Sequence, residues 1–205
     1  MHSVVGKFLF FLFSAVFFVG SLPAQTTNPN GYNKFFYDNG KISSEGYLKE
    51  GKPDGYWKNY YPNGELKIEG NRKNFLLDSI WRFYDEKGHL TRTIEYDKGK
   101  KHGASLTYDT LGNVTSAETF SSDVKHGYSK TYYSNGSVKS ITEFVNGKKE
   151  GKAYEFSSDS VITGISLFKG GILQGYEKIN QRDNDNRKQG IWKEFYEDIQ
   201  VKKER

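Results

Sequence analysis

The chain has 205 residues, a formal net charge of +5 and no cysteine, with Phe and Tyr at 15 residues each. That length suits one ordinary domain or one repeat array. The small positive charge does not resemble a dedicated nucleic-acid binder, and the missing thiols exclude disulfides and thiolate metal sites.

The first 24 residues read as a secretory signal peptide. Lys7 precedes an apolar run from Phe8 to Phe13 that continues to Val19, Gly20 and Ser21 break it, and Leu22-Pro23-Ala24 offers a small residue for cleavage. The run is too short for the roughly 20 apolar residues of a membrane-spanning helix. The mature protein is therefore expected outside the cytoplasm, periplasmic or extracellular. Residues 25–33, with Pro29, Asn30 and Gly31, read as a linker.

From Lys34 to Ile179 a period of 24 residues organises six tandem units. An aromatic occupies Phe36, Tyr60, Tyr84, Tyr108, Tyr132 and Phe156, and an aliphatic follows at Ile42, Leu66, Leu90, Val114, Val138 and Ile162. Between them lies a turn glycine, Gly40, Gly64, Gly88, Gly112 and Gly136, with Ser160 in the sixth unit. Asn-Gly in such a turn takes the positive φ angles of a tight hairpin, so each unit reads as two antiparallel strands. A second glycine, at Gly55, Gly103, Gly127, Gly151 and Gly175, with Ser79 once, is placed in a wider turn such as Asn146 to Gly151.

Alternation within the second strand puts the aliphatic row and a second row, Leu48, Tyr96, Phe120, Phe144 and Phe168, on one continuous face, with Arg72 the exception. A single layer then leaves Trp57, Trp81 and Trp192 on the other face, partly exposed. Residues 180–187 read as a polar loop. Residues 188–205 replay the stretch from Pro53 to Tyr61 and read as an incomplete terminal repeat. The fold class is all-β, an elongated twisted antiparallel sheet of stacked hairpins.

Segments such as Tyr96-Asp97-Lys98-Gly99-Lys100-Lys101-His102-Gly103 and Tyr132-Tyr133-Ser134-Asn135-Gly136 resemble the MORN-repeat family, more closely its bacterial variant form. The resemblance implies binding or scaffolding in place of catalysis, and some bacterial relatives are labelled antitoxins. It also makes His102 and His126, each directly before a second glycine, turn residues of the consensus.

Two imidazoles one period apart without cysteine or a completing carboxylate make a weak metal site, so no metal and no cofactor are expected. Gly-x-Ser-x-Gly, a phosphate-binding glycine loop and His-Glu-x-x-His are absent, so an enzyme is not expected. Glu45 and Glu69 occupy matched positions, but Thr93, Ala117 and Ile141 follow them, which reads as solvated surface.

The wide turns line one edge. Lys98, Lys100, Lys101, Lys125, Lys148 and Lys149 make its centre basic, suited either to anionic lipid or acidic glycan or simply to solubility and blocked edge pairing. Phe75, Leu76, Leu77, Ile172 and Leu173 put apolar side chains on that edge, as partner anchors or as packing folded back on neighbouring turns. The leading expectation is an exported protein-binding module of the cell envelope, with an anionic-surface binder and an antitoxin-like partner of a toxin as alternatives.

Overall fold

The computed structural model describes residues 27–195 and the backbone of 201–204; the expected signal peptide lies outside them. All regular structure among the described residues is β. Strands β1 (Gly31–Phe36) and β2 (Ile42–Lys49), β3 (Lys52–Tyr60) and β4 (Leu66–Lys73), β5 (Leu76–Tyr84) and β6 (Leu90–Asp97), and β7 (Lys100–Tyr108) and β8 (Val114–Ser121) make four hairpins. β9 (Val124–Lys125) and β10 (Gly127–Tyr132) are pieces of one strand interrupted at His126. With β11 (Val138–Val145), β12 (Lys148–Phe156), β13 (Ile162–Lys169) and β14 (Ile172–Lys178) they complete a 14-stranded sheet whose order is the order of the chain. At about 4.8 Å per strand the sheet is roughly 60 Å long. β1 starts inside the expected linker: Tyr32 and Asn33 already face Tyr47 and Gly46.

The two margins of the sheet close differently. On one, a five-residue turn is held by Tyr61 N donating to Glu65 O and Gly64 N donating back to Tyr61 O, both at 2.8 Å, with Gly64 at φ 94°. The same pair recurs at turns starting at 37, 85, 109, 133 and 157. Tyr37, Tyr61 and Tyr133 hydroxyls then donate to the carbonyls of Tyr60, Tyr84 and Phe156 one repeat on, at 2.6, 2.9 and 2.7 Å. Asn39, Asn63 and Asn135 amides add a second tie, to Pro62, Glu86 and Ser158. Where Asp85 or Asp109 opens the turn, its carboxylate accepts from amides of its own turn instead.

The other margin is tighter than the sequence suggests. Asn146-Gly147, at φ 50° and 80°, closes a hairpin in two residues. The second glycine lies beyond the turn, inside the strand. Ile94 faces Ser105 and Tyr96 faces Lys101, so His102, Gly103 and Ala104 stand against Glu95 alone. That is a bulge, and Gly103 at φ 98° supplies its left-handed conformation. The expected wide turn is therefore a short turn plus a bulge.

The core corrects the expected exposure of the tryptophans. Trp57 and Trp81 are 7% and 2% exposed, with Leu48 beside them and Phe35, Ile68, Leu77, Phe83 and Tyr96 packed around. Trp57 faces Gly46 on one side and Gly70 on the other. A Cβ on Gly70 would come within 2.6 Å of three indole atoms of Trp81. The bare glycine thus makes room for an indole lying flat on the sheet. Trp81 Nε1 donates to Asn71 O at 2.9 Å, so its polar atom is satisfied under cover. Trp192 alone remains half-buried, beneath Arg182 and Lys188.

The apolar side is not continuous either. On the tryptophan face the cross-strand row runs Trp57, Gly70, Trp81, Ile94, Ser105 and Glu118, turning polar at β7. On the opposite, tyrosine face the row runs Thr93, Leu106, Ala117, Lys130, Ile141, Tyr154 and Ile165, turning apolar at the same strand. Because strand residues alternate, exchanging polarity between Ser105 and Leu106 moves the stripe through the sheet. Leu90 joins Thr93, Leu106 and Tyr108 around a shallow depression, away from Tyr96, because the register shifts between Phe83 and Tyr84 opposite it.

The expected polar loop at 180–187 is a further hairpin. Asp183 N donates to Arg187 O and Asn186 N to Asp183 O, as in the other five-residue turns, with Asn186 at φ 62° in the glycine's place. It joins β15 (Gln181–Arg182) to β16 (Lys188–Gln189), and β17 (Lys193–Phe195) pairs with β18 (Val201–Glu204). Ile179 and Asn180 are buried, and Asn180 bridges Ile162 O and the backbone of Lys193.

Trp81→Ala is expected to cost about 3–5 kcal/mol in denaturant unfolding, as large aromatic truncations in cores do. Gly70→Ala, though it adds one methyl, should also destabilise the parent, yet become nearly neutral in the Trp81→Ala background. Additive losses in that double-mutant cycle would contradict the indole-on-glycine packing.

Candidate binding surfaces

Two surfaces concentrate exposed chemistry: the margin of two-residue turns and the tyrosine face. Along the margin the first residue after each turn is Lys52, Leu76, Lys100, Val124, Lys148 and Ile172, all exposed, so lysine and aliphatic alternate repeat by repeat. Leu76, Val124 and Ile172 are 48%, 44% and 68% exposed. Backbone bonds such as Gly99 N to Leu77 O and Gly147 N to Lys125 O, both 2.8 Å, tie most of these turns to the preceding repeat and keep the alternation in line.

The sequence-derived residues divide in the structure. Lys98, Lys100 and Lys148 extend into solvent. Lys101, Lys125 and Lys149 instead lie on the tryptophan face over the rings of Phe120, Phe144 and Phe168, at 5.2, 4.5 and 4.8 Å, which makes a ladder of cation–π contacts. Lys125 also pairs with Glu118 at 2.6 Å. Of the apolar set, Leu76, Ile172 and Leu173 are exposed, Phe75 sits under the Lys52 ammonium, and Leu77 packs on the core around Trp81. Val124 escaped notice in the sequence because its neighbours Asp123 and Lys125 are polar; the period of two repeats that places it between Leu76 and Ile172 is the signal that could have found it.

The tyrosine face holds what the sequence reading dismissed. Glu45 and Glu69 are not free surface carboxylates. Tyr60 Oη donates to Glu45 Oε1 at 2.5 Å, Tyr84 Oη donates to Glu69 Oε1 at 2.8 Å, and Lys34 Nζ lies 3.4 Å from Glu45. The Tyr60 bond, more than any other influence, holds the Glu45 carboxyl below its usual range. Burial and then Glu69 push the Tyr84 phenol up to about 12, and burial and then Glu45 push Tyr60 upward as well. At the third position Thr93 and Tyr108 hydroxyls meet at 3.3 Å. The legible signal was Glu fifteen residues before Tyr, twice at the repeat period.

His102 and His126 are exposed, each one residue before a bulge glycine. Among the described residues no three His, Cys, Asp or Glu side chains converge as metal ligands.

A one-layer sheet of consecutive hairpins, with turns ordered along two margins and side-chain ladders across both faces, defines a repeat protein whose surfaces are linear arrays. Four of its repeats are MORN repeats of the variant form: the family model for the MORN repeat variant matches residues 29–50, 53–74, 77–98 and 125–146. No curated protein matches the sequence at a significant level.

The perturbed groups set a pH window. Glu45 has a folded pKa below its ordinary 4.5, so its share of stability is complete above that value and is lost as pH falls through the lowered one. Tyr84 has a folded pKa raised from 10.0, so its share is complete below pH 10 and is lost as pH rises toward about 12. Melting temperature measured against pH should decline at both ends. Tyr84→Phe should flatten the alkaline limb, and Glu45→Gln part of the acid one; limbs of unchanged slope would show these bonds do not stabilise the fold.

Proposed function

We propose that the protein is an exported, non-enzymatic binding module that docks a protein partner along its two-residue-turn margin. The observation that carries this reading is the alternation of exposed Leu76, Val124 and Ile172 with Lys52, Lys100 and Lys148. Leu76 and Val124 rest in part on the next turns at Gly99 and Gly147, yet both stay nearly half exposed, and with Ile172 they recur every second repeat, about 19 Å apart. Interface energy concentrates in a few apolar anchors, while surrounding charges govern approach rate and salt response. The partner therefore carries apolar pockets in an acidic surround. The N-terminal apolar run supports export, and the family's general use as a binding module supports a role without catalysis.

An anionic membrane is the second reading, favoured by the same lysines.

Photo-crosslinking groups at the intervening Lys52, Lys100 and Lys148, which are exposed on the same margin, are expected to give one discrete protein adduct in the native host. That adduct should be lost in a Leu76→Lys, Val124→Lys, Ile172→Lys variant that melts like the parent. Leu77→Lys is the contrasting control and should lower the melting temperature, since Leu77 belongs to the core. Flotation of the protein with anionic vesicles, together with no protein adduct, would favour the membrane instead.

A further inference from the structure

The polar groups of the tyrosine face repeat as regularly as the backbone does. Glu45 is served by Tyr60, Tyr32 and Lys34, and Glu69, one repeat on, by Tyr84 and Tyr56, with Arg82 opposite it on the next strand. Lys34, Glu45, Lys58, Glu69 and Arg82 stand opposite one another across β1 to β5, so each carboxylate lies between two cations. Beside this row Tyr32, Tyr47 and Tyr56, on three consecutive strands, are 48%, 57% and 45% exposed. Tyr32 and Tyr47 meet edge to face at 5.3 Å, which fixes both rings.

What would fit such a surface follows from its chemistry. The charges nearly cancel in alternation, so the complement is a ligand of little net charge with closely spaced donors and acceptors. Exposed phenol rings want flat C–H surfaces directly beside hydroxyl groups. A pyranose ring presents both. The two modules lie two strands apart, about 9.6 Å, so a ligand engaging both must repeat its chemistry at that interval. A disaccharide unit of an extended pyranose chain has that reach. The modules stop at two, because Thr93 replaces the third carboxylate and Leu106 and Ala117 follow it.

We infer that the tyrosine face of β1 to β6 is a binding site for a neutral linear β-1,4-linked polysaccharide lying along the array, one disaccharide per repeat. Four sugar units fill the site. It is separate from the turn margin, so either surface can fail without the other.

Calorimetry with β-1,4-linked N-acetylglucosamine oligomers of two, four and six units tests this. Linking two weak subsites raises affinity through effective concentration, so the tetramer should bind roughly tenfold or more tighter than the dimer. The hexamer should add little. Glu69→Gln should return the tetramer to dimer-like affinity, and Tyr56→Ala, at an exposed ring, should do so even if Glu69→Gln weakens folding. Tyr128→Ala, an exposed tyrosine of the same face beyond the modules, and the triple margin variant should bind sugar as the parent does. Affinity independent of length, unchanged affinity in a folded Tyr56→Ala protein, absence of binding at millimolar sugar, or binding confined to anionic polymers or peptides would each overturn the proposal.

Discussion

An indole lying over a bare glycine is the contact on which the first half of this sheet depends. A single layer has no second layer to bury its apolar residues, so cover must come from side chains of the layer itself. Gly46 and Gly70 leave flat ground on neighbouring strands, and Trp57 and Trp81 occupy it. Each aromatic covers the strand beside its own, and the smaller apolar residues close around it. With no disulfide available, this packing and the backbone ladder share the work of holding the array.

Past β6 the solution changes. Ser105 and Leu106 exchange the polarity of the two faces, and the tryptophan face is then held by lysines laid over phenylalanines. Those lysines lie over rings, while Lys52, Lys98, Lys100 and Lys148 are among the lysines that carry exposed charge on the margin. Lysines of one margin thus divide: Lys101, Lys125 and Lys149 cover phenylalanine rings, while Lys100 and Lys148 extend into solvent.

The period, the hairpins and the strand order were legible because Gly64 and its equivalents demand positive φ and recur at a fixed interval. The bulge was not, since a glycine with positive φ serves a turn or a bulge equally well and only register distinguishes them. The burial of Trp57 was hidden for a related reason. Its cause is the absence of a side chain on Gly46, a residue eleven positions away in sequence, and alternation counts what is present. The roles of Glu45 and Glu69 were missed because their successors at Thr93 and Ala117 are uncharged, although the tyrosines opposite them continue. At the chain's end, Asn186 in the glycine's place and two extra residues disguised a hairpin as a loop.

The turns at Asp85 and Asp109 look inward, and this has a mechanical meaning. Tyr37 and Tyr61 rivet the first three repeats together at that margin, and Tyr133 rivets the fifth to the sixth. Between them the aspartates secure only their own turns, although β8 meets β9 and β10 through two facing pairs on either side of the break at His126. Tension applied along the array is therefore borne unequally. On this margin the sheet yields first between the third and fifth repeats, and each end keeps its own rivets. A protein anchored at one end and pulled at the other would lengthen at that seam before either end came undone.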